Sequence, residues 1–113
     1  MHNNKKRNLF ITEGPFDMMV LHYFLYKNEI DGDATCLFGI NASKKQLSIL
    51  NTLHNYYNKI FILFDSGFSM TAVQLKLKVS HDNIHVLDMP SGYDDPGNLD
   101  LRGFNEIIRT VGL

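Results

Sequence analysis

The side chains here whose type and spacing could do chemistry are carboxylates. Glu13 and Asp17 follow the apolar run Leu9-Phe10-Ile11. Asp65 follows Ile60-Phe61-Ile62-Leu63-Phe64, and Asp88, Asp94 and Asp95 follow Ile84-His85-Val86-Leu87. These are six of the 12 acidic residues of a 113-residue chain. Acids crowded together repel one another unless a cation neutralises them. Oxygen donors alone, with a single Cys and no convincing His cluster, suit a hard divalent ion, Mg2+ or Mn2+. Such an ion bridges protein carboxylates and substrate phosphates and stabilises charge in phosphoryl transfer. The other reading is that the loops are simply polar and their acids cap the helices that follow. Spacing alone leaves both open.

Whether the acids meet depends on the elements that carry them. Leu9 to Ile11 reads as a buried strand stopped by Thr12-Glu13-Gly14-Pro15. Pro15 suits a first helical turn, and Phe16, Met19, Val20, Tyr23 and Phe24 then recur at helical spacing. Ala34 to Phe38 is a second strand. Ser43-Lys44-Lys45-Gln46 is a capping box, and Leu47, Leu50, Leu53 and Tyr57 continue that helix on one face. The unbroken apolar run before Asp65 predicts a central parallel strand buried on both faces. Met70, Val73 and Leu77 fit a helix, although Val73, Leu75, Leu77 and Val79 alternate as a strand would. A parallel sheet needs a crossover here, which selects the helix. Asp100 caps a last helix with Leu101, Phe104, Ile107, Ile108 and Val111 inward.

The order βαβαβαβα predicts an α/β fold: an open, mainly parallel four-stranded sheet with helices on both faces. Ligands of such sheets sit beyond the carboxyl ends of the strands, where all six acids fall. Residues 1–8 are expected to form a flexible basic tail and residues 9–113 a single domain.

The motifs resemble the Toprim domain, the Rossmann-like catalytic domain of bacterial-type primases, type IA and type II topoisomerases and some nucleases. Ile11-Thr12-Glu13-Gly14-Pro15-Phe16-Asp17 is similar to its Glu-Gly-x-x-Asp segment, and Phe61-Ile62-Leu63-Phe64-Asp65 to its third strand end. Gly39, Ser43 and Gln46, and the late Pro90-Ser91-Gly92-Tyr93-Asp94-Asp95-Pro96-Gly97, resemble the primase-like branch found in bacteria, phages and mobile elements. The resemblance spans roughly residues 8–100. It implies that Glu13 is a metal-linked general acid/base and that Asp65 binds Mg2+ or Mn2+. The second Asp of the family's Asp-x-Asp motif falls on Gly67, and its later Gly on Met70. A lost carboxylate lowers cation affinity. Asp94 or Asp95 replaces it, or the site is catalytically dead.

Around these ligands, Gly14 permits either the close approach of a phosphate or a positive-φ turn. Asp17 supports the metal or serves as a helix-start charge, and Ser66 is a further supporting position. Lys5, Lys6, Arg7, Lys44 and Lys45 are candidate phosphate contacts, or solvated surface. His81 and His85 lack a third partner for zinc. His22 and His54 read as surface or satisfied core residues, and Cys36 as an inert buried thiol. Of Tyr56 and Tyr57, one is expected to pack and one to be exposed.

Composition bounds the rest. The chain is 44% hydrophobic, with 8 Gly and 3 Pro, which excludes disordered and collagen-like character. No apolar run spans a membrane and no signal pattern is present. One cysteine excludes an internal disulfide and points to a reducing, cytoplasmic setting. The net charge of -1 hides a split: beyond the basic start, 8 bases face 12 acids. Such a body holds nucleic acid only with a bridging cation.

The expected function is a primase-like Toprim domain performing divalent-metal-dependent nucleotidyl or phosphoryl transfer on DNA or RNA, in replication or repair. It is expected to work with another subunit, such as a primase or helicase component. Two readings compete with it. One is a catalytically degenerate Toprim module serving protein interaction or scaffolding in a replication or mobile-element system. The other is a receiver- or flavodoxin-like domain.

Overall fold

The computed structural model describes residues 7–36, 44–65, 77 and 81–113, with 44–47 given by their backbone. Four strands form the sheet: β1 (Asn8–Thr12), β2 (Gly32–Cys36), β3 (Ile60–Leu63) and β4 (Ile84–Leu87). Three helices accompany them: α1 (Pro15–Lys27), α2 (Lys44–Leu53) and α3 (Leu101–Val111). A short 3-10 turn at Pro96–Asn98 precedes α3.

The strand order is β2-β1-β3-β4, and every pairing is parallel. Composition explains this order. NLFIT in β1 and IFIL in β3 are buried at every position, so both suit the middle of the sheet. GDATC and IHVL cannot fill two covered faces and stand at the edges. Register follows the same residues, with Leu9, Phe10 and Ile11 opposite Ile60, Phe61 and Ile62.

Each face of the sheet carries its own core. Leu9, Ile11, Ile60, Ile62, Phe64 and Ile84 pack with Leu50 of α2 on one side. Phe10, Phe61 and Leu63 pack on the other with Leu21 and Leu25 of α1 and Phe104, Ile107 and Ile108 of α3. Helices therefore cover both faces, as expected.

Several local expectations are corrected. The inward face of α1 runs through Leu21, Phe24 and Leu25, while Phe16, Met19 and Tyr23 are exposed. The helix is apolar nearly all round, so spacing alone does not select its buried side. Leu101 is likewise exposed. Asn8 belongs to β1 rather than to a tail, because it pairs with Gly32 of β2. Gly14 has φ -122 and ψ 165, extended backbone open to any residue, so no positive-φ turn requires it. Of the expected crossover helix only Leu77 is described; it is helical and exposed. The capping Ser43, with Gly39, Ser66, Gly67 and Met70, lies outside the described residues. Among those residues no helix is long and apolar enough to cross a membrane.

Candidate functional site

β1 connects onward to β2 on one side of the sheet, and β3 lies on its other side. The carboxyl ends of β1 and β3 thus flank the crevice where the strand order reverses, the usual ligand position of an open α/β sheet. Thr12 ends β1 fully buried, and its hydroxyl donates to the Gly14 carbonyl at 3.0 Å. That bond shapes the turn that delivers Glu13 to the rim. Pro15 then starts α1, which places Asp17 in its first turn. Phe64 is buried behind β3, so Asp65 emerges directly beside the same crevice.

Asp95 arrives from the loop after β4. Its side chain caps the 3-10 turn, accepting the Asn98 N–H at 3.0 Å. The next peptide tightens the cluster, because Gly97 N–H donates to Asp17 Oδ1 at 2.8 Å. Only glycine fits there: a Cβ on Gly97 would lie 2.7 Å from both Asp17 Oδ1 and Phe16 Cδ2.

Asp17, Asp65 and Asp95 each offer an oxygen within 4.8 Å of the others. They form the only such group among the described residues. Two further oxygens, Glu13 Oε2 and Asp65 Oδ1, are buried without a hydrogen-bond partner among the described residues. Burial first, then the charges of Asp17, Glu13 and Asp95, pushes the Asp65 carboxyl up to about 6. Asp17 is also raised, chiefly by burial, against the lowering effect of its Gly97 bond. The Asp17 and Asp65 carboxyls lie side by side in this cluster. Crowded carboxylates with orphaned buried oxygens are the donor set of a hard divalent cation. The residues fit Mg2+ or Mn2+.

The sequence expectations fall on this site unevenly. Glu13, Asp65 and Asp95 come together, but Asp94 is exposed and lies outside the cluster. Asp95 has extended backbone, with φ -151 and ψ 163, so the two neighbouring side chains point to opposite sides, one to the rim and the other to solvent. Asp17, read as a support, itself offers one of the three clustered oxygens. Gly97 was missed as an N–H donor; its only sequence signal was the Pro-Gly turn. Asp88 instead lines a groove with Glu106 and Thr110.

Arg7 is committed elsewhere. It meets Asp33 at 3.2 Å and the Gly32 carbonyl at 2.9 Å, at the amino ends of the strands and away from the acids. As a phosphate contact at this site it is therefore replaced by a structural tie between the start of β1 and β2. Lys5 and Lys6 lie outside the described residues, as do the side chains of Lys44 and Lys45. His81 stacks on His54 with centroids 3.5 Å apart, whereas His85 lies against Phe61. Cys36 is only half-buried, although burial raises its thiol. Tyr57 packs and donates to Asp33 at 3.0 Å, while Tyr56 is exposed.

A wholly parallel 2-1-3-4 sheet, with acids at its switch point, defines a Rossmann-like α/β domain. Comparison with solved structures is more particular. The chain resembles a small TOPRIM domain protein from Bacillus stearothermophilus, with TM-score 0.73 and 13% identity over 96% of this chain and 91% of that one. It also resembles the primase fragment of the bacteriophage T7 primase-helicase protein, with TM-score 0.69 and 21% identity. That match covers 96% of this chain and 45% of the fragment. A chain from the T7 lagging-strand DNA polymerase structure, with primase domains bound to an RNA/DNA hybrid and dTTP, matches at TM-score 0.72 and 21% identity. There 98% of this chain and 56% of that one are covered, so this chain spans about half the length of the T7 proteins. No family model and no curated protein matches the sequence. The chain has a Toprim fold.

Proposed function

We propose that this chain is a primase-like Toprim domain whose carboxylate rim uses Mg2+ or Mn2+ for phosphoryl or nucleotidyl transfer on nucleic acid. One observation carries the reading: four acids from three separate segments converge at the switch point, with two buried oxygens left unpartnered among the described residues. A structural cluster would satisfy those oxygens with protein donors; a ligand site leaves them for the ligand.

Asp65, Asp17 and Asp95 would hold the ion, with Glu13 beside them. When bound, the cation supplies charge stabilisation to the phosphoryl oxygens being transferred. Glu13 Oε2 is buried with no hydrogen-bond partner among the described residues, and Glu13 would serve as the general acid/base at the reacting oxygen. Gly97 N–H holds Asp17 within the cluster, where it would serve the ion. Asp17 and Asp95 supply the charge that Gly67 does not. The acidic body leaves phosphate binding to the cation and to another subunit, for which a primase or helicase component of replication or repair is the proposed partner. A cytoplasmic setting suits the lone cysteine.

Gly67 favours a second reading, a degenerate module that binds partners without catalysis. Calorimetric titration with Mn2+ separates the two. Wild type is expected to bind saturably, Glu13→Gln and Asp65→Asn to lose at least tenfold in affinity, and Gly67→Asp to gain. Absence of saturable binding in wild type, with binding in Gly67→Asp, assigns the chain to the degenerate class. With binding established, cleavage and primer-extension assays on DNA and RNA name the reaction.

A further inference from the structure

Helix α1 presents an apolar face that the other described residues leave uncovered. Phe16, Met19, Tyr23 and Tyr26 are between 56% and 79% exposed and follow one another along a single stripe. Their exposed surface amounts to roughly 500 Å², which is large for one patch on a monomer. Beside the stripe runs a groove of about 570 Å³, walled by Met18, His22 and, from the edge strand β2, Ala34. The four residues carry no charge, on a body with 8 bases against 12 acids.

We infer that the stripe is a self-association surface, on which a second copy of this chain lays its own α1 antiparallel across a two-fold axis. Symmetry selects this occupant. In such a contact residue i meets j and j meets i. The stripe satisfies that condition: Phe16 opposite Tyr26 and Met19 opposite Tyr23 share one midpoint along the helix. Rings then meet rings, and each Met sulfur meets a Tyr ring. Area agrees with it. The four side chains, extended by the groove walls, approach the ~800 Å² per partner of a stable interface. Charge agrees as well. Antiparallel packing opposes the two helix dipoles. Single-stranded nucleic acid is the competing occupant, since exposed rings stack on bases. The stripe offers its phosphates only Lys27, at one end, which disfavours it.

Sedimentation velocity from micromolar to submillimolar concentration tests the proposal. Wild type is expected to pass from 13.0 kDa to twice that mass. Met19→Glu and Tyr23→Glu should each hold it at the monomer with an unchanged circular dichroism spectrum. Tyr56→Glu, at an exposed ring outside the stripe, should leave the dimer intact. In a Cys36→Ser background, mixing Met19→Cys protein with Tyr23→Cys protein and oxidising should give more mixed than like cross-links. That arm decides the matter should the charged variants fail to fold. A wild type that stays monomeric, or a dimer that survives both charge substitutions, overturns the inference. So does a monomer whose tyrosine fluorescence is quenched by oligothymidylate and spared in Tyr26→Ala, which would make the stripe a nucleic-acid track.

Discussion

Asp65 shows what the rim costs the protein when no cation is bound. Its carboxyl stands at about 6, above the ordinary 3.8, because burial and three neighbouring acids disfavour its charge. An acid raised in this way holds its proton longer in the folded than in the unfolded chain. The resulting penalty is absent below the ordinary value, grows as pH rises from 3.8 to about 6, and is fully present above that. Asp65→Asn removes it. Without added metal the variant is expected to melt above wild type at neutral pH, with the two converging toward about pH 4; thermal scans across pH check this. Gly97 works through contact instead of charge. In Gly97→Ala the new methyl would meet Asp17 Oδ1 and the Phe16 ring, each at 2.7 Å, so the loop must shift. A loss of about 1–3 kcal/mol in denaturant titration is expected, together with weaker Mn2+ binding as Asp17 loses its N–H donor.

Elements differ in how openly their sequences declare them. Asp100 accepts Gly103 N–H at 3.0 Å as the N-cap of α3 and also holds the Tyr93 hydroxyl. Asp100→Ala should cost about 1 kcal/mol from the lost cap and lower the melting temperature by roughly 4–8 °C in a domain of this size. The unpaired Tyr93 hydroxyl adds to that loss. This helix was readable because, beyond Leu101, its apolar residues gather on one face, so Phe104, Ile107 and Ile108 point inward as their spacing says. In α1 apolar residues occur on both faces, so spacing does not select its buried side. What decided it was the sheet, whose Phe10 and Phe61 receive Leu21 and Leu25. The displaced residues became the exposed stripe.

At the scale of the whole molecule, a cation that binds the folded rim and not the unfolded chain must stabilise the fold. At 100-fold excess over its dissociation constant the gain is about 2.7 kcal/mol. Mn2+ should therefore raise the melting temperature at neutral pH in wild type, and much less in Glu13→Gln, as calorimetric scanning would record. The parallel sheet, its central strands and the strand-end position of the acids could all be read from the sequence. Runs such as Phe61 to Phe64 and the alternation of strand and helix are local properties that only one layer architecture satisfies. Which acids touch could not be read. Asp17 and Asp65 are far apart in the chain and Asp94 adjoins Asp95, yet the first pair meets while the second divides between rim and solvent. Periodicity reports the side of an element that is apolar, and so it predicts layers. The meeting of α1, the end of β3 and the loop before α3 depends on packing between distant segments, and that was settled only when the two cores closed on the sheet.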